Sequence, residues 1–397
     1  MTIDFVESFD HGDEFTTGWD SGGTGLPTHF GQIQTAGNVT WPAGRTGSCM
    51  HIAGNGSTAV SVLGSGMLPA STHRIYAFYY RSSANPSVAS DFFAGYRAGF
   101  VNKVFAVRMN TNGTVQVECQ GSTVNGPNIT DGNWHRIDLH VDTTGTTYTI
   151  DWQVDHAAQT QLVDTGNTAG WTAPGYLYGT SVTTATLVFD IDDLLSSPDA
   201  GDYPINGGAD YFIGSIKPNA DGTHNAGTNV MEDQAGADIG AVTAFNLLDD
   251  FNPIDTANFV RQVAIGTGNY AEVLFTDVSE TNILAASLLV IGGAATAVSP
   301  DAEVRLYDAA DNLHLIFHDG EMVSGSNAVL SGMTTIPAPG GGWTKDFLNG
   351  LKLRVGYSPD ASGSNIARFY EAMIQYAWTP QPPTTRKLRT VSTPIRW

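Results

Sequence analysis

The residues best suited to chemistry lie in the run Asp190-Ile191-Asp192-Asp193. Asp190 and Asp192 are predicted to share one face of a strand, because side chains in strands repeat with a period of two. Enzymes that hydrolyse glycosidic bonds use two carboxyl groups, one as proton donor and one as base or nucleophile. A Glu-x-Asp-x-Glu strand supplies such groups, but position 194 here is Leu and the run contains no Glu. The sequence therefore predicts a protein that is not an enzyme.

Other catalytic and metal-binding patterns are missing from the sequence. It contains no P-loop, no dinucleotide-binding fingerprint and no Gly-x-Ser-x-Gly nucleophile elbow. His314 and His318 could share a face, but no third ligand accompanies them, so zinc is not predicted. The two cysteines, Cys49 and Cys119, are expected to be free, buried thiols.

The clearest structural pattern is a β-hairpin predicted over residues 134–155. Ile137 and Leu139 fall on one face of its first strand, and Arg136 and Asp138 fall on the other. A Thr- and Gly-rich turn precedes a second strand with the same alternation. Inward apolar and outward polar side chains are therefore expected, as in stacked antiparallel layers.

Four aromatic side chains have two alternative roles at this point. Sugar-binding sheets present exposed aromatic rings to the apolar face of a pyranose, whereas most aromatic residues in strands pack in the core. The candidates for glycan binding are Tyr76, Tyr80, Trp134 and Trp152. Periodicity alone does not decide which face of each strand is exposed.

Composition sets the fold class and limits the partners. A chain of 397 residues with 45 glycines, many short alternating segments and no long helical pattern is predicted to be all-β with two domains. The formal charge of −21 argues against wrapping nucleic acid or an anionic membrane. No signal peptide or spanning segment is apparent. The predicted divisions are a jelly roll over residues 1–212, a linker over 213–260, a second antiparallel β-sandwich over 261–378 and an extended basic tail over 379–397.

Several motifs resemble laminin G-like, concanavalin A-like jelly rolls and structural proteins of tailed bacteriophages. The hairpin resembles a strand pair of the jelly-roll family, and so does the closing strand around residues 187–194. In such modules the first and last strands pair side by side. The passage Pro218-Asn219-Ala220-Asp221-Gly222 resembles the connection between the two β domains of phage minor tail proteins, and residues 347–377 resemble their last strands.

The resemblance implies sites and partners. Such jelly rolls often hold Ca²⁺ where the first and last strands meet, and the candidate ligands here are Glu7, Asp10, Asp192 and Asp193. A solvated acidic strand end is the alternative. The tail is expected to dock on an acidic neighbouring subunit through Arg386, Lys387, Arg389, Arg396 and Trp397.

The function implied is that of a virion structural protein, assembled in the host cytoplasm and released by lysis. A minor tail or tail-tip protein would act as a homo-oligomer among other tail subunits, adhering to host envelope glycans or supporting assembly. The alternatives are a capsid decoration or head-fibre protein without glycan binding and, third, a polysaccharide-degrading enzyme. Fold resemblance does not separate the first two.

Overall fold

The fold was established from a computed structural model, and it confirms the all-β prediction. The described residues are 2–10, 32–34, 38–54, 61–65, 71–96, 103–167, 175–179, 186–223, 231–237, 239, 243–249, 258–262, 270–294, 301–321, 329–356 and 367–380. Nearly all regular structure in them is strand, apart from short 3-10 turns and one short helix, α1 (Lys345–Asn349). Within these residues, no helix has the length and apolar character needed to cross a membrane.

The first half of the chain forms a jelly-roll sandwich of two antiparallel sheets. Its strands are β1 (Phe5–Glu7), β2 (Gln32–Gln34), β3 (Val39–Thr40), β4 (Met50–Ala53), β5 (Ser61–Ser65), β6 (His73–Arg81), β7 (Ser90–Tyr96), β8 (Lys103–Met109), β9 (Thr114–Cys119), β10 (Ser122–Asn128), β11 (His135–Asp142), β12 (Thr147–Val154), β13 (Ala157–Ala158), β14 (Leu162–Thr165), β15 (Gly175–Gly179) and β16 (Val188–Ser197). Sheet I has the order β13-β12-β11-β6-β16-β4-β3, and sheet II has the order β10-β9-β8-β7-β15-β5-β2. Strand β1 pairs with β16, so the first and last strands lie side by side as predicted.

The second half forms another sandwich. Its strands are β17 (Phe212–Ile216), β18 (Pro218–Asp221), β19 (Met231–Glu232), β20 (Val260–Gln262), β21 (Tyr270–Phe275), β22 (Ile283–Ala294), β23 (Asp301–Tyr307), β24 (Leu313–Glu321), β25 (Val329–Thr335), β26 (Lys352–Gly356) and β27 (Ala367–Trp378). Sheet III has the order β19-β20-β27-β22-β25, with β17 also paired to β27, and sheet IV has the order β18-β21-β26-β23-β24. The linker predicted over residues 213–260 is therefore wrong, because its strands belong to sheets III and IV.

Each sandwich encloses a core that follows the period-two pattern. In the first, Ile137 and Leu139 of β11 face inward and are fully buried together with Phe78 of β6. In the second, Leu288 of β22 and Leu353 of β26 contribute from opposite sheets. Cys49 and Cys119 are free and buried, as expected from the sequence.

A third core joins the two sandwiches. The outer face of sheet I contributes Val6, Ile75 and Leu195, and sheet III contributes Ala285 and Ala377. The hydroxyl of Ser287 donates to the Val6 carbonyl over 3.2 Å, so β1 is also bonded to the second sandwich. The expectation of an outward face exposed to solvent is wrong for the middle of sheet I, where the second domain covers it. We call this contact the domain joint.

Candidate functional site

The acidic strand end predicted as a calcium site lies at the domain joint. The Asp193 carboxylate is fully buried and pairs with Arg45, whose Nη1 lies 2.5 Å from Oδ2. The other oxygen, Oδ1, accepts a hydrogen bond from the Ile213 backbone N–H at 2.7 Å. The Arg45 guanidinium carbon lies 3.2 Å from the centroid of the Tyr79 ring and 4.4 Å from that of Phe212. Arg45 therefore connects the closing strand to the start of the second sandwich.

Asp192 and Asp10 both accept hydrogen bonds from the loop that carries Arg45. The Asp192 carboxylate accepts from the backbone N–H of Arg45 at 2.6 Å and from that of Asp193 at 2.8 Å. The Asp10 carboxylate accepts from the Ser48 N–H at 2.7 Å and from the Ser215 hydroxyl at 2.8 Å. Burial, with the neighbouring carboxylates adding to it, raises the pKa of Asp192 to about 9. Burial also raises the pKa of Asp193, to about 7, although Arg45 opposes this shift.

These contacts fit a structural joint better than a calcium site. Both oxygens of Asp10, Asp192 and Asp193 accept hydrogen bonds from N–H or O–H donors, whereas Ca²⁺ needs six to eight oxygen ligands directed at one point. The fourth candidate, Glu7, accepts from the Phe9 N–H at 2.6 Å and from the Gln375 side chain at 3.3 Å. In the described part of the chain, no three His, Cys, Asp or Glu side chains form a group that could hold a metal ion.

Three of the four predicted glycan-binding aromatics are core residues. Tyr76 and Tyr80 are 0% exposed and Trp152 is 1% exposed. Tyr76 and Tyr80 pack against phenylalanine rings of sheet II, and the Trp152 indole N–H donates to the Thr160 carbonyl at 2.9 Å. The prediction that these rings contact a glycan is wrong, because they point between the sheets.

The fourth aromatic, Trp134, ends a row of side chains that remains partly accessible. Asp190 of β16 lies between His51 of β4 and Arg81 of β6 in the strand register. His51 Nδ1 lies 2.5 Å from Asp190 Oδ1, while Arg81 Nε and Nη2 lie 2.7 and 2.6 Å from Oδ2. The Arg81 guanidinium lies 4.4 Å from the centroid of the Trp134 ring. We call these four residues the Asp190 row.

The Asp190 row is held by its own ion pairs and is partly exposed. The His51 and Arg81 side chains are 30% and 32% exposed, whereas Asp190 is 11% exposed. Burial works to raise the pKa of Asp190, but hydrogen bonds from His51 and Arg81 outweigh it and hold the pKa below its usual value. The contacts with Asp190 use His51 Nδ1 and Arg81 Nε and Nη2, and do not involve His51 Nε2 or Arg81 Nη1. Because both side chains are about a third exposed, a ligand could contact them beside an aromatic ring.

The sequence patterns did not reveal that an arginine side chain is buried on the outer face of sheet I. Arg136, expected to face solvent, is 1% exposed and forms a bidentate pair with Asp138 at 2.8 and 2.7 Å. Its guanidinium also donates to the carbonyls of Ile205 and Gly208 in the segment leading into the second sandwich. The Arg-x-Asp spacing on one strand face was the available signal, since paired charges can be buried together.

The predicted docking residues of the tail lie outside the described residues. Arg386, Lys387, Arg389, Arg396 and Trp397 all fall after residue 380, so the expected contact with an acidic neighbouring subunit remains a prediction.

Comparisons with known proteins show the fold class alone. No known family model and no curated protein matches the chain. Among solved structures, a sialidase is 11% identical with a TM-score of 0.38, covering 50% of this chain and 19% of its own. Domain 4 of the arabinanase AbnA from Geobacillus stearothermophilus, in complex with arabinotriose, is 13% identical with a TM-score of 0.35, covering 50% and 95%. A heptameric SAP-like pentraxin from Limulus polyphemus is 11% identical with a TM-score of 0.31, covering 41% and 76%. The chain thus spans about a fifth of the sialidase it matches.

Proposed function

We propose that this chain is a non-enzymatic structural protein of a tailed-bacteriophage virion, of the minor tail type. The sequence resemblance of the hairpin, the closing strand and the inter-domain passage supports the virion assignment. The domain joint supports an architectural role, because it fuses two β-sandwiches through a shared core. Tail subunits must hold a fixed shape within an assembly, and a joint of this kind suits that requirement.

We propose a non-enzymatic role because of where the carboxylates of Asp190 and Asp192 lie. A glycosidase needs two carboxyl groups on either side of a bound glycosidic bond. Asp192 is fully buried beneath the loop that contains Gly44 and Arg45, and Asp190 is occupied by His51 and Arg81. The two groups therefore do not face a common open cleft.

The proposed adhesive contact is the Asp190 row. Sugar hydroxyl groups form hydrogen bonds with polar atoms that are already fixed in position, while the sugar ring lies against an aromatic surface. Arg81 and His51 supply such atoms, and the half-buried Trp134 supplies the ring. Individual contacts of this size are weak, so adhesion would depend on many copies held on one particle.

A glycan array probed with the full chain tests the adhesive role. We expect binding to one or more host-envelope glycans, lost in Trp134→Ala and retained in Trp343→Ala, which removes a half-buried tryptophan from the second sandwich. Equal binding by both variants, or no binding by the unmodified chain, would remove the glycan role.

The position of the chain on an intact particle tests the virion role separately. Gold-labelled antibody against this protein is expected at the tail tip in electron micrographs. Labelling of the capsid would favour the second candidate, a decoration or head-fibre protein without glycan binding. Particles without any label would contradict both.

A further inference from the structure

Two histidines meet at the end of sheet I opposite the Asp190 row. His73 begins β6 and His140 lies on β11, and their side chains are 33% and 15% exposed. His73 Nδ1 lies 3.4 Å from His140 Nε2, with ring centroids 5.6 Å apart and ring planes inclined by 21°. The two nitrogens therefore lie within hydrogen-bond distance of each other, at a place that solvent can reach.

The outer nitrogen of each ring also has a partner. His140 Nδ1 lies 3.5 Å from a carboxylate oxygen of Asp151, which favours the tautomer that protonates Nδ1 and leaves a lone pair on Nε2. His73 Nε2 lies 3.0 Å from the Thr144 hydroxyl. Because a hydroxyl can donate or accept, Thr144 is compatible with a proton on either nitrogen of His73. The inner nitrogen of His73 can thus also present a lone pair.

A carboxylate lies beside the histidine pair. The Asp142 carboxylate lies 3.6 Å from His73 Nδ1. The Asp142 carboxylate also accepts a hydrogen bond from the Thr144 backbone N–H at 2.8 Å. A carboxylate oxygen and two imidazole nitrogens therefore lie together.

We propose that His73 and His140 bind a divalent transition-metal ion through their two facing nitrogens, with water completing the coordination. Ligand atoms about 2.0–2.1 Å from a tetrahedral Zn²⁺ lie roughly 3.3–3.4 Å from one another. The nitrogens are already at that separation, although the rings must tilt to direct both lone pairs at one ion. Imidazole pairs bind Cu²⁺, Ni²⁺ and Zn²⁺ in preference to Ca²⁺. This inference is independent of the proposed virion role.

A third histidine provides a matched control. His135 lies between Asp131 and Asp155, with its nitrogens 2.9 and 2.7 Å from their carboxylates. The hydrogen bond to Asp155 is the main cause that raises the pKa of His135, outweighing burial. This ring has carboxylates at both nitrogens, and in the described part of the chain no second imidazole is bonded to it, so it lacks the feature that the proposal requires.

Isothermal titration of the full chain, without a polyhistidine tag, tests the site. At pH 7.5 we expect one Zn²⁺ or Ni²⁺ per chain and no heat from CaCl₂. Binding is expected to disappear in His73→Ala and His140→Asn and to persist in His135→Gln. Zn²⁺ should also raise the melting temperature of the unmodified chain and of His135→Gln, because a ligand that binds only the folded state stabilises it. The melting temperatures of His73→Ala and His140→Asn should not change when Zn²⁺ is added.

The pH dependence gives a further check. Protons compete with the metal for imidazole nitrogens, so binding should weaken from pH 7.5 to 5.5. Asp142, Asp151 and Tyr203 are the other titratable groups at the pair. Absence of saturable binding to the unmodified chain, or equal binding by His73→Ala, would overturn the proposal. Should His140→Asn fail to fold, the more exposed His73 still decides the outcome.

Discussion

A few buried charges determine how sheet I meets the second domain. Three carboxylates, those of Asp10, Asp192 and Asp193, lie around the loop that carries Arg45, and Arg45 forms an ion pair with Asp193. A buried charge is costly when its partner is removed, whereas an exposed pair contributes little. Arg45 is therefore expected to contribute far more to the free energy of unfolding than an exposed arginine or lysine would.

We predict that Arg45→Gln lowers the free energy of unfolding by about 3–5 kcal/mol at pH 8. The loss should be smaller at pH 5. Raised pKa values mean that Asp192 and Asp193 favour the folded state when protonated, and this contribution disappears as pH rises toward about 7 and 9. Urea unfolding at both pH values measures the effect. Arg305→Gln, which breaks a more exposed pair with Glu303, serves as control and should cost no more than about 1 kcal/mol.

The sequence predicted the strands and their apolar faces better than it predicted what covers their polar faces. The alternation in residues 134–155 correctly predicted the β11–β12 hairpin and its inward aliphatic residues, such as Ile137 and Leu139. The same alternation could not reveal what covers the other face, since Arg136 and Asp138 look alike whether they meet water or each other. The aromatic residues were misjudged for the same reason. Trp134 directly precedes β11 and Trp152 lies on the neighbouring β12, but only strand register and sheet stacking place Trp152 in the core.

The short strands between residues 212 and 262 show a second limit of sequence reading. Strand β19 has two residues and β20 has three, which is too short for a period-two pattern to stand out. Strand β20 pairs with β27, which is more than 100 residues away in sequence, and β19 joins the sheet by pairing with β20. A segment read as a linker is thus part of a sheet because of long-range pairing alone.

At the scale of the whole molecule, the two sandwiches share an apolar joint and polar bonds across it. Besides Ser287, the Gln375 side chain accepts a hydrogen bond from the Ser8 backbone N–H at 3.2 Å, again linking the β1 region to sheet III. Separate domains with a small polar contact would move independently. A joint with its own apolar core should instead couple the unfolding of both halves.

We predict that Val6→Asp uncouples the two sandwiches. Val6 is fully buried in the joint, so an unpaired carboxylate there should cost about 3 kcal/mol or more and favour separation of the domains over collapse of either core. Urea unfolding should change from one transition to two, and limited proteolysis should begin to cut between the sandwiches. The matched substitution Val163→Asp, at a side chain that is 50% exposed, should leave the single transition within about 0.5 kcal/mol. One unchanged transition in Val6→Asp would show that the apolar contact around Val6 is not what couples the two halves, and the support that this contact gives to an architectural role would be lost.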